Sequence, residues 1–301
     1  MEKRHYAEGQ SEVTMSELMP AAFIGHGSPM NALDHNRYTA CWTDFAASIP
    51  KPRAVLVISA HWYVNITAIT AMKVPRTIHD FYGFPQPLFD VSYPAPGDPQ
   101  LAQRVIDLVE PTYVGLDTDS WGIDHGTWSV LAHAFPKADI PVVQLSINAA
   151  KPFDYHVDLG ARIAPLRESG VLIVSSGNVV HNLGGMDFRN PDGGFDWAHR
   201  FDEAVREKML EAPADVLTVD SQPEFRLAVP TPDHFLPLLY LAGVAGSTGH
   251  IPEVLVDGYT FGSLSMTSYT LDATCPSRPD VSAPAAEFPD PTTFPPDETN
   301  A

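Results

Sequence analysis

The sequence predicts an α/β domain: a three-layer α/β/α sandwich around a mixed, mostly parallel sheet. Two observations carry that reading. Short apolar runs rich in β-branched residues recur at 21–25, 54–60, 141–147 and 171–176. None alternates with polar residues, which is the pattern of strands buried on both faces. Between these runs lie segments with helical periodicity or helix-start signals, and strand–helix alternation of this kind builds layered α/β folds. Two late strands at 253–257 and 262–270 then close the sheet and make it mixed.

The elements follow in order. After strand 21–25 comes a helix near 37–48; after strand 54–60 comes a short apolar segment at 66–72. Residues 75–97 form a loop with five prolines and the aromatic set His79, Phe81, Tyr82, Phe84, Phe89 and Tyr93. A loop this long inside a compact domain is usually functional, and its aromatics point to a rigid lid or pocket wall. A helix over about 99–110 begins with Asp98 as N-cap and Pro99 in its first turn. Helices are expected at 127–134, 156–168, 196–211 and 233–242. Residues 1–19 read as a flexible polar lead-in, 20–274 as one catalytic domain, and 275–301 as a disordered tail rich in Pro and acidic residues.

Bulk properties exclude several classes. With 37 acidic against 18 basic residues the formal charge is −19, which repels a nucleic-acid backbone. The two cysteines, Cys41 and Cys275, form neither a disulfide framework nor a Cys-based zinc site. That usage suits a reducing, cytoplasmic setting. No apolar run approaches the ~20 residues that span a bilayer, and Met1 to Glu17 lacks the apolar stretch of a signal peptide. The expected partners are small molecules, with no nucleic acid and no membrane.

The chemistry lies in the histidines. Three of the apolar runs lead into one: Ile24-Gly25-His26, Ser59-Ala60-His61, and Val174 through Val180 into His181. Ligands of open α/β sheets bind beyond the carboxyl ends of the strands, so these imidazoles gather at one sheet edge. Imidazole suits Zn, Fe, Cu or Ni, which makes a metal site the leading expectation. His234 follows Thr231-Pro232-Asp233, a helix start whose positive end would keep the ring neutral. His125 lies between Trp121 and Trp128, which suggests a pocket for a flat ring; Asp124 is either its partner or a helix cap. At each position the alternative is a core or turn histidine bonded to backbone. His5, His35, His133, His156, His199 and His250 are assigned to surface or packing. There is no HExxH, no GxSxG and no P-loop. On the residues alone an oxygen-using metal enzyme, a zinc-dependent hydrolase sharing the same histidine cluster, and a non-enzymatic binder of metals or small aromatics all stand open.

Six motifs in order narrow this choice: Gly25-His26-Gly27-Ser28-Pro29-Met30, Ser59-Ala60-His61-Trp62, Thr77-Ile78-His79-Asp80-Phe81, Asp124-His125-Gly126-Thr127-Trp128, Gly177-Asn178-Val179-Val180-His181-Asn182 and Pro230-Thr231-Pro232-Asp233-His234. Over roughly residues 20–272 the chain resembles the 4,5-DOPA extradiol dioxygenase family, a branch of the class III extradiol ring-cleaving dioxygenases related to the protocatechuate 4,5-dioxygenase catalytic subunit. The resemblance implies an α/β fold, one divalent metal ion, and O₂-dependent cleavage of a catechol, L-DOPA at the 4,5 position being the type substrate. It implies metal ligation by His26, His61 and His234, with His181 either a fourth ligand or an acid/base. His125 would face substrate and oxygen, and His79, Phe81 and Trp128 would shape the substrate pocket. Fe(II) is expected for activity, with Zn(II) able to occupy the same ligands. Class III relatives commonly use two histidines and a glutamate; here the position matching the carboxylate is His234.

Overall fold

A computed structural model describes residues 18–273. The expected lead-in lies outside these residues except for Leu18 and Met19, and the expected tail lies outside them entirely. The elements run β1 (Ala21–Gly25), α1 (Arg37–Ser48), β2 (Ala54–Val64), β3 (Ala68–Thr70), α2 (Gln86–Phe89), α3 (Pro99–Val109), β4 (Gly115–Asp117), α4 (His125–Ala134), β5 (Val142–Asn148) and α5 (Phe153–Ile163). Then come β6 (Val171–Gly177), α6 (Asp196–Glu211), α7 (Phe225–Ala228), α8 (Leu236–Thr248), β7 (Glu253–Val256), β8 (Tyr259–Thr260), β9 (Leu264–Ser265) and β10 (Ser268–Leu271).

Eight strands form one sheet in the order β4-β3-β5-β2-β6-β1-β10-β7. Its centre is parallel, and β10, β7 and β3 pair antiparallel, so the sheet is mixed as expected. Each central strand feeds two cores. Ala54, Leu56 and Ile58 pack on one face with α5, α6 and α8; Val55 and Val57 pack on the other with α1 and α4. No helix among the described residues is long and apolar enough to cross a membrane.

Strand register positions the site. The pairing of β6 with its neighbours β2 and β1 stops at one level, with Ser59 opposite Ser176 and Gly25 opposite Gly177. Beyond Ile58, β2 advances to Tyr63 while its partner β5 advances only from Leu145 to Ile147. The surplus residues bulge, and His61 sits among them. The expected strand end at residue 60 is therefore corrected: His61 lies inside a bulged strand, a device that re-aims a side chain.

Three other expectations are corrected. The helix expected at 156–168 is α5 over Phe153–Ile163 followed by a 3-10 segment over Ala164–Ser169, because Pro165 supplies no N–H for a continuing α-ladder. The helix expected at 233–242 is α8, which starts at Leu236 and runs to Thr248, so His234 sits in the preceding turn rather than on the helix. Gly243 inside α8 serves packing: a Cβ there would meet the Val157 carbonyl oxygen of α5 at 2.0 Å. The late strand expected at 262–270 is split into β9 and β10, where the Ser265 and Thr267 hydroxyls turn to the buried Asp202 carboxylate at 3.2 and 2.7 Å.

Candidate metal centre

His26 follows β1, and its N–H donates to the Gly177 carbonyl at 3.1 Å. Its ring Nδ1 lies 3.0 Å from Ser176 Oγ, and that hydroxyl donates its single proton to the Gly126 carbonyl at 2.5 Å. The hydroxyl therefore accepts from Nδ1–H, and the His26 lone pair is on Nε2. His61 Nδ1 lies 3.2 Å from Asp80 Oδ2, and His234 Nδ1 lies 2.5 Å from Asp233 Oδ2. A carboxylate can only accept, so both rings also carry the proton on Nδ1. Three imidazoles thus keep Nε2 free as a lone-pair donor.

Two of those nitrogens converge directly. His26 Nε2 and His61 Nε2 are 3.1 Å apart. Two nitrogens each about 2.1 Å from a shared ion sit about 3.0–3.4 Å apart for right-angle to tetrahedral geometry. The His234 ring centroid is 5.3 Å from that of His26 and 5.0 Å from that of His61, and its buried Nε2 has no hydrogen-bond partner. His125 is equally near: its centroid is 3.8 Å from that of His61, its Nε2 is also buried without a partner, and its ring nitrogens come within 4.8 Å of those of His26 and His61. Facing lone pairs and orphaned buried nitrogens are the donor set a divalent cation completes, so these residues fit the implied metal.

His181, four residues beyond the end of β6, lies parallel on the His234 ring with centroids 3.5 Å apart and an interplanar angle of 3°. Its backbone N–H donates to the Ala228 carbonyl at 2.9 Å, which fixes the loop that carries it. Glycine is needed where these segments meet. A Cβ on Gly177 would sit 2.2 Å from the His234 carbonyl oxygen, and one on Gly126 would sit 2.7 Å from His61 Cδ2.

The expected pocket residues divide. His125, at the start of α4, joins the cluster. Asp124 caps that helix, accepting from the Thr127 N–H, and is further held by Ser59 Oγ at 2.7 Å and Gln144 Nε2 at 2.7 Å. Of its two readings in the sequence, the helix cap holds. Phe81 is buried with its ring centroid 5.4 Å from that of His125. Trp128 lies behind Phe81, its Nε1–H donating to the Ile78 carbonyl at 2.7 Å. His79 is turned into the loop, with Nε2 2.9 Å from the Val91 carbonyl oxygen and its ring against Phe81, Phe89 and Trp128. Loop 75–97 is thus a packed wall, with Phe81, Phe84, Leu88, Tyr93 and Ala95 all in the core.

Electrostatics disfavour protonation of His26, His61 and His181 and keep the flanking acids charged. Burial, then the neighbouring imidazoles, push His26 and His61 well below the ordinary histidine value, and burial followed by His234 does the same to His181. Burial opposes ionisation of Asp80 and Asp233. The imidazoles of His125 and His61 nonetheless hold Asp80 well below the usual carboxylate range, and His234 does so for Asp233. Asp80, Asp233 and Ser176 were given no role from sequence. The acids stand directly beside the motif histidines His79 and His234, a signal that was available; Ser176 carried none.

A layered α/β fold with buried imidazoles at the carboxyl ends of its parallel strands is the arrangement that suits a metal site, and comparison with known proteins specifies the family. Residues 20–271 match the family described as the catalytic LigB subunit of aromatic ring-opening dioxygenase. The 4,5-DOPA dioxygenase extradiol of Escherichia coli K12 is 45% identical over 260 residues, covering 85% of this chain and 96% of that protein. The protein of the same name from Beta vulgaris is 36% identical over 260 residues, covering 84% and 96%. The crystal structure of an uncharacterized Escherichia coli K12 protein, 41% identical, superposes with a TM-score of 0.72 over 84% of this chain and 99% of that one. The chain belongs to the LigB family and is an extradiol dioxygenase.

Proposed function

We propose that this enzyme opens the ring of a catechol of the L-DOPA class at the 4,5 position, using O₂ and one Fe(II) held by His26, His61 and His234. The observation that carries the reading is the arrangement of the rings: each has Nδ1 beside an acceptor, the Nε2 atoms of His26 and His61 lie 3.1 Å apart, and that of His234 is buried without a partner. The names of the relatives from Escherichia coli and Beta vulgaris support L-DOPA as the substrate. Bound there, the ion would supply Lewis acidity toward the catechol hydroxyls and an electron path to O₂. Zn(II) fits the same three nitrogens but has no redox chemistry.

The chain's own residues supply the rest. His181, buried and held below the ordinary histidine value by burial and by His234, is neutral at pH 7 and takes a catechol proton as general base. His125 lines the other side of the metal space and contacts substrate or oxygen through its free Nε2. Phe81 and Trp128 back His125 and keep that wall dry. The test is anaerobic reconstitution of metal-stripped protein with Fe(II) or Zn(II), addition of L-DOPA and then O₂, and measurement of oxygen uptake with the visible spectrum. Uptake and a yellow product with Fe(II) alone are expected. Fe(II)-loaded protein inert toward L-DOPA and simpler catechols would remove the reading.

A further inference from the structure

Asp80 touches both a proposed ligand, His61, and a histidine outside the proposed ligand set, His125. It reaches them from loop 75–97. The start of that loop is pinned beside α4: the Ile78 N–H donates to the Ile123 carbonyl at 2.8 Å, and the Ile123 N–H donates to the Arg76 carbonyl at 2.8 Å. Asp80 Oδ1 accepts the His125 backbone N–H at 3.0 Å. Its other oxygen, Oδ2, lies 3.2 Å from His61 Nδ1 and 3.0 Å from His125 Nδ1. The carboxylate thus accepts one backbone N–H and holds its other oxygen within 3.2 Å of two ring nitrogens, and those rings lie on β2 and α4 with centroids 3.8 Å apart.

We propose that Asp80 is a positioning residue that fixes His61 and His125 in the same Nδ1–H tautomer through one shared oxygen. His61 Nε2 is thereby a ligand, and His125 Nε2 is a hydrogen-bond acceptor when the ring is neutral. The inference rests on the ligand set proposed above. In the Nδ1–H tautomer a neutral His125 accepts a hydrogen bond from substrate through Nε2. An amide cannot replace Asp80. If its oxygen faces the rings, its NH₂ meets the His125 backbone N–H; if it is turned over, its NH₂ meets both ring N–H groups. Either orientation opposes donors.

The experiment has two parts. On Zn(II)-loaded wild-type protein labelled with ¹⁵N-histidine, long-range ¹H–¹⁵N correlations report each tautomer. Protons on Nδ1 of both His61 and His125 are expected; a proton on Nε2 of His125 overturns the proposal. In parallel, Zn(II) affinity by chelator competition and the visible spectrum of the Co(II) form are measured for Asp80→Asn, Asp80→Glu and His61→Ala. Loss of about 10–100-fold in affinity and a shifted Co(II) spectrum are expected for Asp80→Asn, typical of removing a carboxylate behind a ligating histidine. Partial recovery is expected in Asp80→Glu. A role in loop packing alone would lower the melting temperature and leave affinity and spectrum unchanged, which overturns the proposal. Wild-type affinity in His61→Ala would instead refute the ligand set beneath it.

Discussion

Replacing Gly177 by Ala tests whether the carboxyl end of β6 sets the metal geometry. The added methyl would lie 2.2 Å from the His234 carbonyl oxygen and 3.1 Å from Pro237 Cγ. Ordinary contact requires about 3.4 Å, so the His234 turn must withdraw by about 1 Å. That same carbonyl accepts the Asn178 N–H at 2.9 Å, so the two segments cannot separate freely. Overpacking of this kind costs about 1–3 kcal/mol of stability, and a displacement of about 1 Å at a reacting centre costs on the order of 100-fold in rate. Gly243→Ala provides the matched control: its methyl would meet the Val157 carbonyl oxygen at 2.0 Å, at the crossing of α5 and α8 rather than at the histidines. Both variants are expected to melt at lower temperature. Only Gly177→Ala is expected to lose about 100-fold in kcat/KM for oxygen uptake and to bind Zn(II) more weakly. Folded Gly177→Ala protein with wild-type turnover and metal affinity would refute the claim that this glycine seats His234.

Three further outcomes are expected. Replacing His181 by Ala should lower turnover by about 100- to 10,000-fold, the range for a lost general base, while catechol affinity changes little; equal losses in both would remove its acid/base role. Burial lowers the His156 pKa from 6.5 to about 4, so between those values the unfolded chain binds a proton that the native state refuses. Stability should therefore fall as pH drops through that window, by about 3 kcal/mol, and His156→Gln should flatten the loss in urea titrations of the metal-free protein. Zn(II) at about 100 times its Kd should stabilise the protein by about 2.7 kcal/mol, which chelator addition in a thermal melt should reverse.

Much of the framework could be read directly from the chain. The runs 21–25 and 171–176 are apolar without alternation because both faces of β1 and β6 are covered, and α6 has the boundaries its periodicity implies. The histidines after β1 and β6 were found because a strand end is a local feature. What escaped was set by contacts distant in sequence. The position of His61 depends on a bulge defined by the partner strand β5, which no reading of β2 alone contains. Asp80 meets His125 across 45 positions, and Ser176 meets Gly126 across 50. The Thr231-Pro232-Asp233 run looked like a helix start at His234, but Asp233 is committed to the His234 ring and α8 begins only at Leu236.

The carboxylates account for how the proposed ligand set can depart from two histidines and one acid. In the ligand set proposed above, His234 takes the position that the resemblance matches to a glutamate of class III relatives, and an all-imidazole set leaves the full charge of a divalent ion on a buried site. In this chain the acids stand one bond further out, Asp233 on His234 and Asp80 on His61 and His125. Both are held ionised by the imidazoles beside them, despite burial. Two negative charges behind neutral imidazoles balance a dication inside a low-dielectric site, where an uncompensated charge is costly. Each acid also accepts the Nδ1 proton, which makes the ligating nitrogen more basic and fixes its direction. In the proposed centre, charge balance and ligand orientation would thus be met by the same two side chains, which would leave the coordination positions beyond the three imidazoles to substrate and oxygen.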